Sequence, residues 1–427
     1  MLLLELSDIN LRLSRAGEVL YQQPGASFVE HRQLTFGRDA LDVVKLHPNR
    51  VHTQYWRSMD QSAVEPKGFG VSTQIDLVYR QLLQIQEQAK LTLADKVWFA
   101  VPSDLSDQQL GLLYGSSLKA GVQLGDFIDY GVLVGSTVDV DGPLAFIDIG
   151  LQRTVITRLV VDQDIRRESV SVDAQLGLLP LMNTWIRLVA ENFLDISRFD
   201  PRKFAETEQQ VFHQILDFVQ SDDEHRSIEA EYRSNKRQVE VSRSELIEVG
   251  VERFNSTLSY LNGCKHVVLM ENGYRFPGFT THLQQKGWQV HQRNLNVVHD
   301  FFDSYDLAET GTESSGRKFH THLNRVRTGA AKIESVSSSP ADNKRATHLL
   351  HEFVGRPIGQ NLTVECGAGS ARQACFELNF RGEELLLTPN GATPLTVNGR
   401  TIEKEMVVHC GDLIKVSDQE YRLIEVH

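Results

Sequence analysis

What the chain lacks narrows its class before any motif is found. Cysteine is scarce: Cys264, Cys366, Cys375 and Cys410 are the only four in 427 residues. None of their spacings matches a zinc site or a redox pair, so reduced and mostly buried thiols are expected. The fifteen histidines show no metal spacing either. His320 and His322 lie two apart, which sets them on different sides of a helix. No apolar run approaches the roughly 18 residues of a membrane span. The apolar start before Glu5 and Asp8 is short and lacks a basic leader, so a signal peptide is not expected. Positive charge is the last shortage. With 44 Lys and Arg against 56 Asp and Glu, the formal net charge is -12. That disfavours a general nucleic-acid binder, which needs a basic face. A soluble cytoplasmic protein is the resulting expectation.

What is present reads as alternating strands and helices. The opening predicts a strand, a turn at Arg15-Ala16-Gly17 and a second strand through Val19 and Leu20. Apolar spacing predicts a helix over 75–90, then a buried strand in KVWFAVPS. A helix over 107–120 follows, opened by the capping signal Ser106-Asp107. LAFIDIG runs into a glycine and pairs with TVITRLVV as a hairpin. Long helices are predicted over 174–193 and 201–219, then a charged stretch over 222–236, the strand QVEVS and a helix from near Arg243. HVVLMENG repeats the strand-into-glycine pattern before a helix over 277–286. Two successive halves of strands, hairpin, helix and strand are what an internally duplicated α/β protein shows.

Between Thr328 and Asn343 the composition shifts to Gly, Ala, Ser and Pro, the signature of a flexible linker. Beyond it LTVECG, ACFELNF, EELLLTP, PLTVNGR and DLIKV are short alternating segments between turn residues. They predict an all-β domain, a sandwich. The expected boundaries are 1–327, a linker over 328–345, and 346–427.

Three segments, in order, resemble the heat-shock-seventy branch of the actin-like ATPases. VPSDLSDQQLGLLYGSSLKAGVQLGDFIDYGVLVG resembles that family's strand, helix and interface strand. FIDIGLQRTVITRL is similar to its second phosphate loop, and HVVLMENGYRFPGFTTHL to its adenosine segment. LELSDINLRLSRAGEVL stands where the first phosphate hairpin would be. FGRDA with NRVHTQYW resembles the segment leading to the catalytic lysine, and EVSRSELIEV the start of a second-lobe helix. The resemblance covers residues 2–327. It implies a two-lobed, ribonuclease H-like duplicated fold that holds ATP or ADP with Mg²⁺ between its lobes, hairpin backbone N–H groups cradling the phosphates.

Carried over by residue, the resemblance implies cofactor-binding positions at Glu5, Ser7, Asp8, Asp148, Gly150, Leu151, Gln152 and Gly273. Several depart from the family. Ser7 replaces a glycine, and Asp8 sets a carboxylate where phosphate would lie, a repulsive arrangement unless a metal intervenes. Leu151 and Gln152 replace glycines, and Val155 replaces an aspartate. The lysine position falls on or next to Tyr55, the interface glutamate on Tyr130, and the adenosine glycine pair on Asn272-Gly273. With a phosphate-binding lysine and a water-positioning carboxylate missing, efficient hydrolysis is not expected, and no residue is assigned a catalytic or metal-binding role. Structural roles stand beside these: Asp148 capping a hairpin turn, Glu5 in an ion pair, Gly150 and Gly273 supplying positive φ.

The C-terminal segment resembles a forkhead-associated domain through VGR at 354–356, GSARQA at 369–374 and VNGR before CGDLIKV. The family holds phosphothreonine with an arginine, a serine and an asparagine. Arg356 and Ser370 match the first two, while Ala371, Gln373 and Pro394 depart. The combined expectation is a non-catalytic pseudo-ATPase that regulates or scaffolds, meeting protein partners through either module, binding no nucleic acid and having no membrane span. Two rivals are a slow ATP-dependent switch and a phosphothreonine-reading adaptor.

Overall fold

A computed structural model divides the chain into two compact units, Met1–Thr328 and Gly329–His427. It describes residues 1–305 and 318–325 of the first. Of the second it describes 347–351, 354–359, 361–366, 373–381, 384–390, 395–397, 400–402, 404–409, 412–416 and 419–424. The expected linker over 328–345 lies outside the described residues, as does Ser370. The protein is mixed α/β with several sheets.

The first unit opens with β1 (Leu2–Ser7), β2 (Asn10–Arg15) and β3 (Glu18–Gln23), a meander in which neighbours run antiparallel. The short helix α1 (Tyr55–Ser58) and the long α2 (Gln74–Gln88) follow. Then β4 (Lys96–Val101) lies parallel to β1. Helix α3 (Asp107–Lys119) leads to β5 (Gln123–Asp129), parallel to β4, and β5 runs straight into α4 (Tyr130–Gly135). Ser106 and Gln109 close a capping box at the start of α3, which satisfies orphan N–H groups of its first turn. Every residue of β1 is buried, as befits a central strand covered on both faces.

The second half begins with another antiparallel meander, β6 (Gly142–Ile149), β7 (Thr154–Val161) and β8 (Asp164–Asp173). Helices α5 (Leu178–Ser197) and α6 (Ala205–Gln220), the hairpin β9 (His225–Tyr232) and β10 (Asn235–Ser242), and α7 (Arg243–Leu258) come next. β11 (His266–Met270) is parallel to β6. After α8 (Glu271–Tyr274) and α9 (Phe279–Gln285), β12 (Gln289–Arg293) is parallel to β11. Helix α10 (Leu295–Ser304) and two short strands, β13 (Phe319–His320) and β14 (His322–Asn324), complete the described part.

The strand orders are β13-β5-β4-β1-β2-β3 and β12-β11-β6-β7-β8-β14. Each six-stranded sheet is thus a meander followed by two parallel strands added beside its first strand, with one late strand on an edge. Helix α5 buries Leu178, Leu181, Trp185, Ile186, Val189 and Phe193 in the core of the second half.

Local departures from the sequence reading have physical causes. The first meander turns twice, at Asp8-Ile9 as well as at Ala16-Gly17, so the opening holds three strands. Helix α5 starts at Leu178 rather than Ala174 because Gly177 packs backbone to backbone, a Cβ there lying 2.8 Å from Arg153 N. The charged stretch over 222–236 holds most of the β9–β10 hairpin. Its buried face is only Ile228, Ala230, Val239 and Val241, and its tip uses Arg233 and Ser234 at φ 50° and 63° in place of the usual Asn or Gly. Gly150 and Gly273 do not have positive φ.

In the second unit one sheet takes the order Val354–Pro357, His348–His351, Gln419–Ile424, Leu413–Val416, Leu395–Val397, Arg400–Ile402. The other is Asn361–Cys366, Gln373–Arg381, Glu384–Pro389, Met406–Val408. Leu349, Ile414 and Leu423 of the first share a core with Val364, Phe376 and Leu387 of the second. Among the described residues no helix is long and apolar enough to cross a membrane.

Candidate functional site

The turns β1–β2 and β6–β7 meet, and a buried ion-pair cluster sits between them. Its centre is Arg57, on α1. Tyr55 and Trp56 anchor that helix: the Tyr55 hydroxyl and the Trp56 ring N–H both donate to Gln81 Oε1, at 2.5 and 2.6 Å. With those rings buried on one side, the Arg57 guanidinium is directed between the turns. It lies 3.3 Å from Asp8, 3.5 Å from Asp104 and 2.9 Å from Asp148. The bond to Asp148 is a true hydrogen bond. Arg57 Nε and Asp8 Oδ2 face each other without hydrogen-bond alignment, so that contact is purely coulombic.

The rest of the cluster is closed by neutral donors and a second cation. Ser7 Oγ donates to Asp148 Oδ1 at 2.7 Å, and Arg153 donates to Asp104 at 2.7 Å. Asp8 Oδ1 accepts the backbone N–H of Leu151 at 3.0 Å. The β6–β7 turn therefore offers one of its amides to a carboxylate of the β1–β2 turn. Burial works against the Arg57 charge, but Asp8, Asp148 and Asp104 outweigh it and raise its pKa. Burial also pushes the Asp148 carboxyl above its usual range, and Arg57 partly offsets this. Two guanidinium groups face three buried carboxylates, Arg57 itself buried and Arg153 a third exposed.

Gly150 is required by close approach. A Cβ on it would collide with Asp8 Oδ1 and stand 2.8 Å from Arg153 O. Gln152 turns aside, donating to Thr53 Oγ1 at 2.8 Å. Gly273 lies within α8, and a Cβ there would meet Ile149 at an ordinary 3.6 Å.

Glu5 forms a separate buried pair. It stands directly opposite Arg12 in the β1–β2 register, 3.2 Å from its guanidinium, and accepts the Tyr130 hydroxyl at 3.3 Å. Arg12 also donates to Leu295 O and Asn296 Oδ1, both at 2.8 Å. Burial raises the Glu5 pKa from 4.5 to about 7, with Arg12 opposing the rise.

Beside the β1–β2 turn opens a cavity of about 440 Å³, bordered by Ile9, Gln23, Arg38, Leu178, Asn272 and Phe276 among others. Glu5, Ser7, Asp8, Asp148, Gly150, Leu151, Gln152 and Gly273 do not line it. The structure brings Ser7, Asp8, Asp148, Gly150 and Leu151 together, and sets Glu5, Gln152 and Gly273 apart. The cavity's cations, Arg38 and Arg275, pair with Asp42 and Asp217 and with Glu271. Among the described residues no His, Cys, Asp and Glu group is arranged to hold a metal ion.

Arg57, Arg153 and Asp104 were not among the residues read from sequence. Arg57 lies two residues beyond the loosely placed lysine position at Tyr55, and Asp104 follows the VPS strand end. A search for basic residues around Tyr55 would have found Arg57. In the second unit Arg356 is exposed on the strand Val354–Pro357, opposite Leu349. No protein-family model matches this chain, and no curated protein matches it.

Proposed function

We propose that the first unit is an actin-type, heat-shock-seventy-like module that does not hydrolyse ATP, and that the protein regulates or scaffolds in the cytoplasm. The observation that carries this is the buried cluster: Arg57 stands among Asp8, Asp104 and Asp148, where the resemblance puts Mg²⁺ and phosphate. The Asp8 carboxylate takes the Leu151 amide that would otherwise cradle a phosphate oxygen. Three carboxylates already matched by internal cations do not fit Mg²⁺. The like strand orders of the two sheets support a duplicated, two-lobed fold. In the second unit, two sheets around one core support a forkhead-associated-like sandwich serving as a protein-docking module.

A second reading is favoured by the cavity of about 440 Å³ beside the β1–β2 turn: ATP or ADP binds and switches the lobes with little turnover. A thermal-shift series with ATP, ADP and Mg²⁺ separates the two. The scaffold reading expects no change in melting temperature at millimolar nucleotide. A shift without phosphate release would replace it with a nucleotide sensor. For the sandwich, the exposed Arg356 is the candidate phosphate contact. Phosphothreonine-peptide binding that survives Arg356→Ala would count against a phosphate-reading role.

A further inference from the structure

The β9–β10 hairpin has two edges, and they are finished differently. Its register sets Glu229 opposite Gln238 and Glu231 opposite Lys236. On β9, the backbone of Glu229 exchanges two hydrogen bonds with the Gln214 side chain, at 2.7 and 2.8 Å. Glu231 does the same with Gln210, at 3.3 and 2.8 Å. Both glutamines belong to α6, which closes that edge as a neighbouring strand would. Residues directly opposite in an antiparallel pair turn their backbone groups either both inward or both outward. Lys236 and Gln238, and Glu240 one repeat on, therefore turn theirs outward on β10. None of these groups has a hydrogen bond among the described residues, and all three side chains are exposed.

A cation cluster sits at the tip of the same hairpin. Phe204 stacks on Tyr232 at 3.8 Å, Arg233 lies over the Tyr232 ring at 5.1 Å, and Arg237 lies over Phe199 at 4.8 Å. Neighbouring Arg202 and Lys236 have carboxylate partners in Asp200 and Glu229, at 3.0 and 2.6 Å. Among the described residues Arg198, Lys203, Arg233 and Arg237 have no carboxylate in ion-pair contact, though Lys203 acts on Asp200 from farther off, and all but Arg237 are exposed. On a chain of formal charge -12, four cations without an ion-pair partner among the described residues gather at this corner.

We propose that the open edge of β10 accepts an extended acidic segment of a partner protein as an added strand. Backbone groups of Lys236, Gln238 and Glu240 would supply the ladder, and Arg198, Lys203, Arg233 and Arg237 would meet the carboxylates. A polypeptide fits better than a nucleic acid. The ring faces that bases would stack on are already in use, and a strand ladder needs a peptide backbone. The proposal is independent of whether the cleft takes nucleotide.

The test uses the full chain and a short fluorescein-labelled peptide alternating Glu and Val, followed by anisotropy. Saturable binding is expected, about tenfold weaker in the Arg233→Glu/Arg237→Glu chain. It should be lost when alternate peptide amides are N-methylated, which removes the ladder and keeps the charge. Gln238→Pro should abolish it too. Because a proline can disturb the hairpin itself, the charge-reversal chain, checked by circular dichroism, is the independent arm. Absence of saturable binding would overturn the proposal, as would equal binding of the N-methylated peptide. Tighter binding of single-stranded DNA would assign the corner to nucleic acid. A concentration-dependent dimer abolished by Gln238→Pro would assign the edge to a second copy.

Discussion

The turn between β1 and β2 and the turn between β6 and β7 stand at equivalent places in two sheets of like strand order, yet they are built from different chemistry. The second holds Asp148 and Gly150, and Gly150 leaves the space that the Asp8 side chain fills. The first carries Ser7 and Asp8, whose side chains cross to the other turn and bond there. One turn presents backbone, the other fills what it presents. Strand order depends on many apolar pairings and survives substitution, whereas a phosphate cradle depends on a few small residues and is lost with one or two.

The largest effect should come from the ion that both turns share. Arg57→Met leaves Asp8, Asp104 and Asp148 buried with Arg153 as their remaining cation. A loss of about 3–5 kcal/mol is expected in chemical denaturation. A loss below about 1 kcal/mol would show that the two turns are held by backbone packing and not by Arg57.

The pH dependence of Glu5 comes next. Its folded pKa, about 7, exceeds the ordinary 4.5, so the folded state holds this proton more tightly than the unfolded state. The stability it confers is complete below about 4.5 and is lost as pH rises through about 7, on the order of 3 kcal/mol in all. Glu5→Gln should flatten the stability profile across that window, whatever its baseline. A profile of unchanged slope would place the titration elsewhere.

The glycines test the comparison more finely. Gly150→Ala should cost about 1–3 kcal/mol, because the Cβ must displace Asp8 or the turn. Gly273→Ala, with only ordinary contacts, should lie within about 0.5 kcal/mol of the parent. Equal effects would remove the distinction between close approach and ordinary packing. Ser7→Ala removes one hydrogen bond to Asp148 and should cost about 1–2 kcal/mol, between the two glycine changes.

Much of this was legible in sequence. The strands at LAFIDIG and HVVLM and the helix opened by Ser106 follow from periodicity and capping. The role of Asp8 was legible only in part: a carboxylate facing a phosphate position reads as repulsive until a guanidinium is known to face it. Arg57 could not be placed because α1 is one turn long and carries no periodic signal. The β9–β10 hairpin was obscured because its turn uses Arg233 and Ser234 and its buried face is four small or β-branched side chains. The requirement for Gly150 depends on a neighbour 142 positions away in the chain, which no local pattern encodes.

The most direct test of the proposed non-catalytic cleft is phosphate release by the purified full chain with ATP and Mg²⁺. The prediction is no release above the protein-free blank for the parent chain and for Asp148→Asn alike. Sustained release by the parent that disappears in Asp148→Asn would contradict it, since Asp148 would then be serving chemistry and not an internal ion pair.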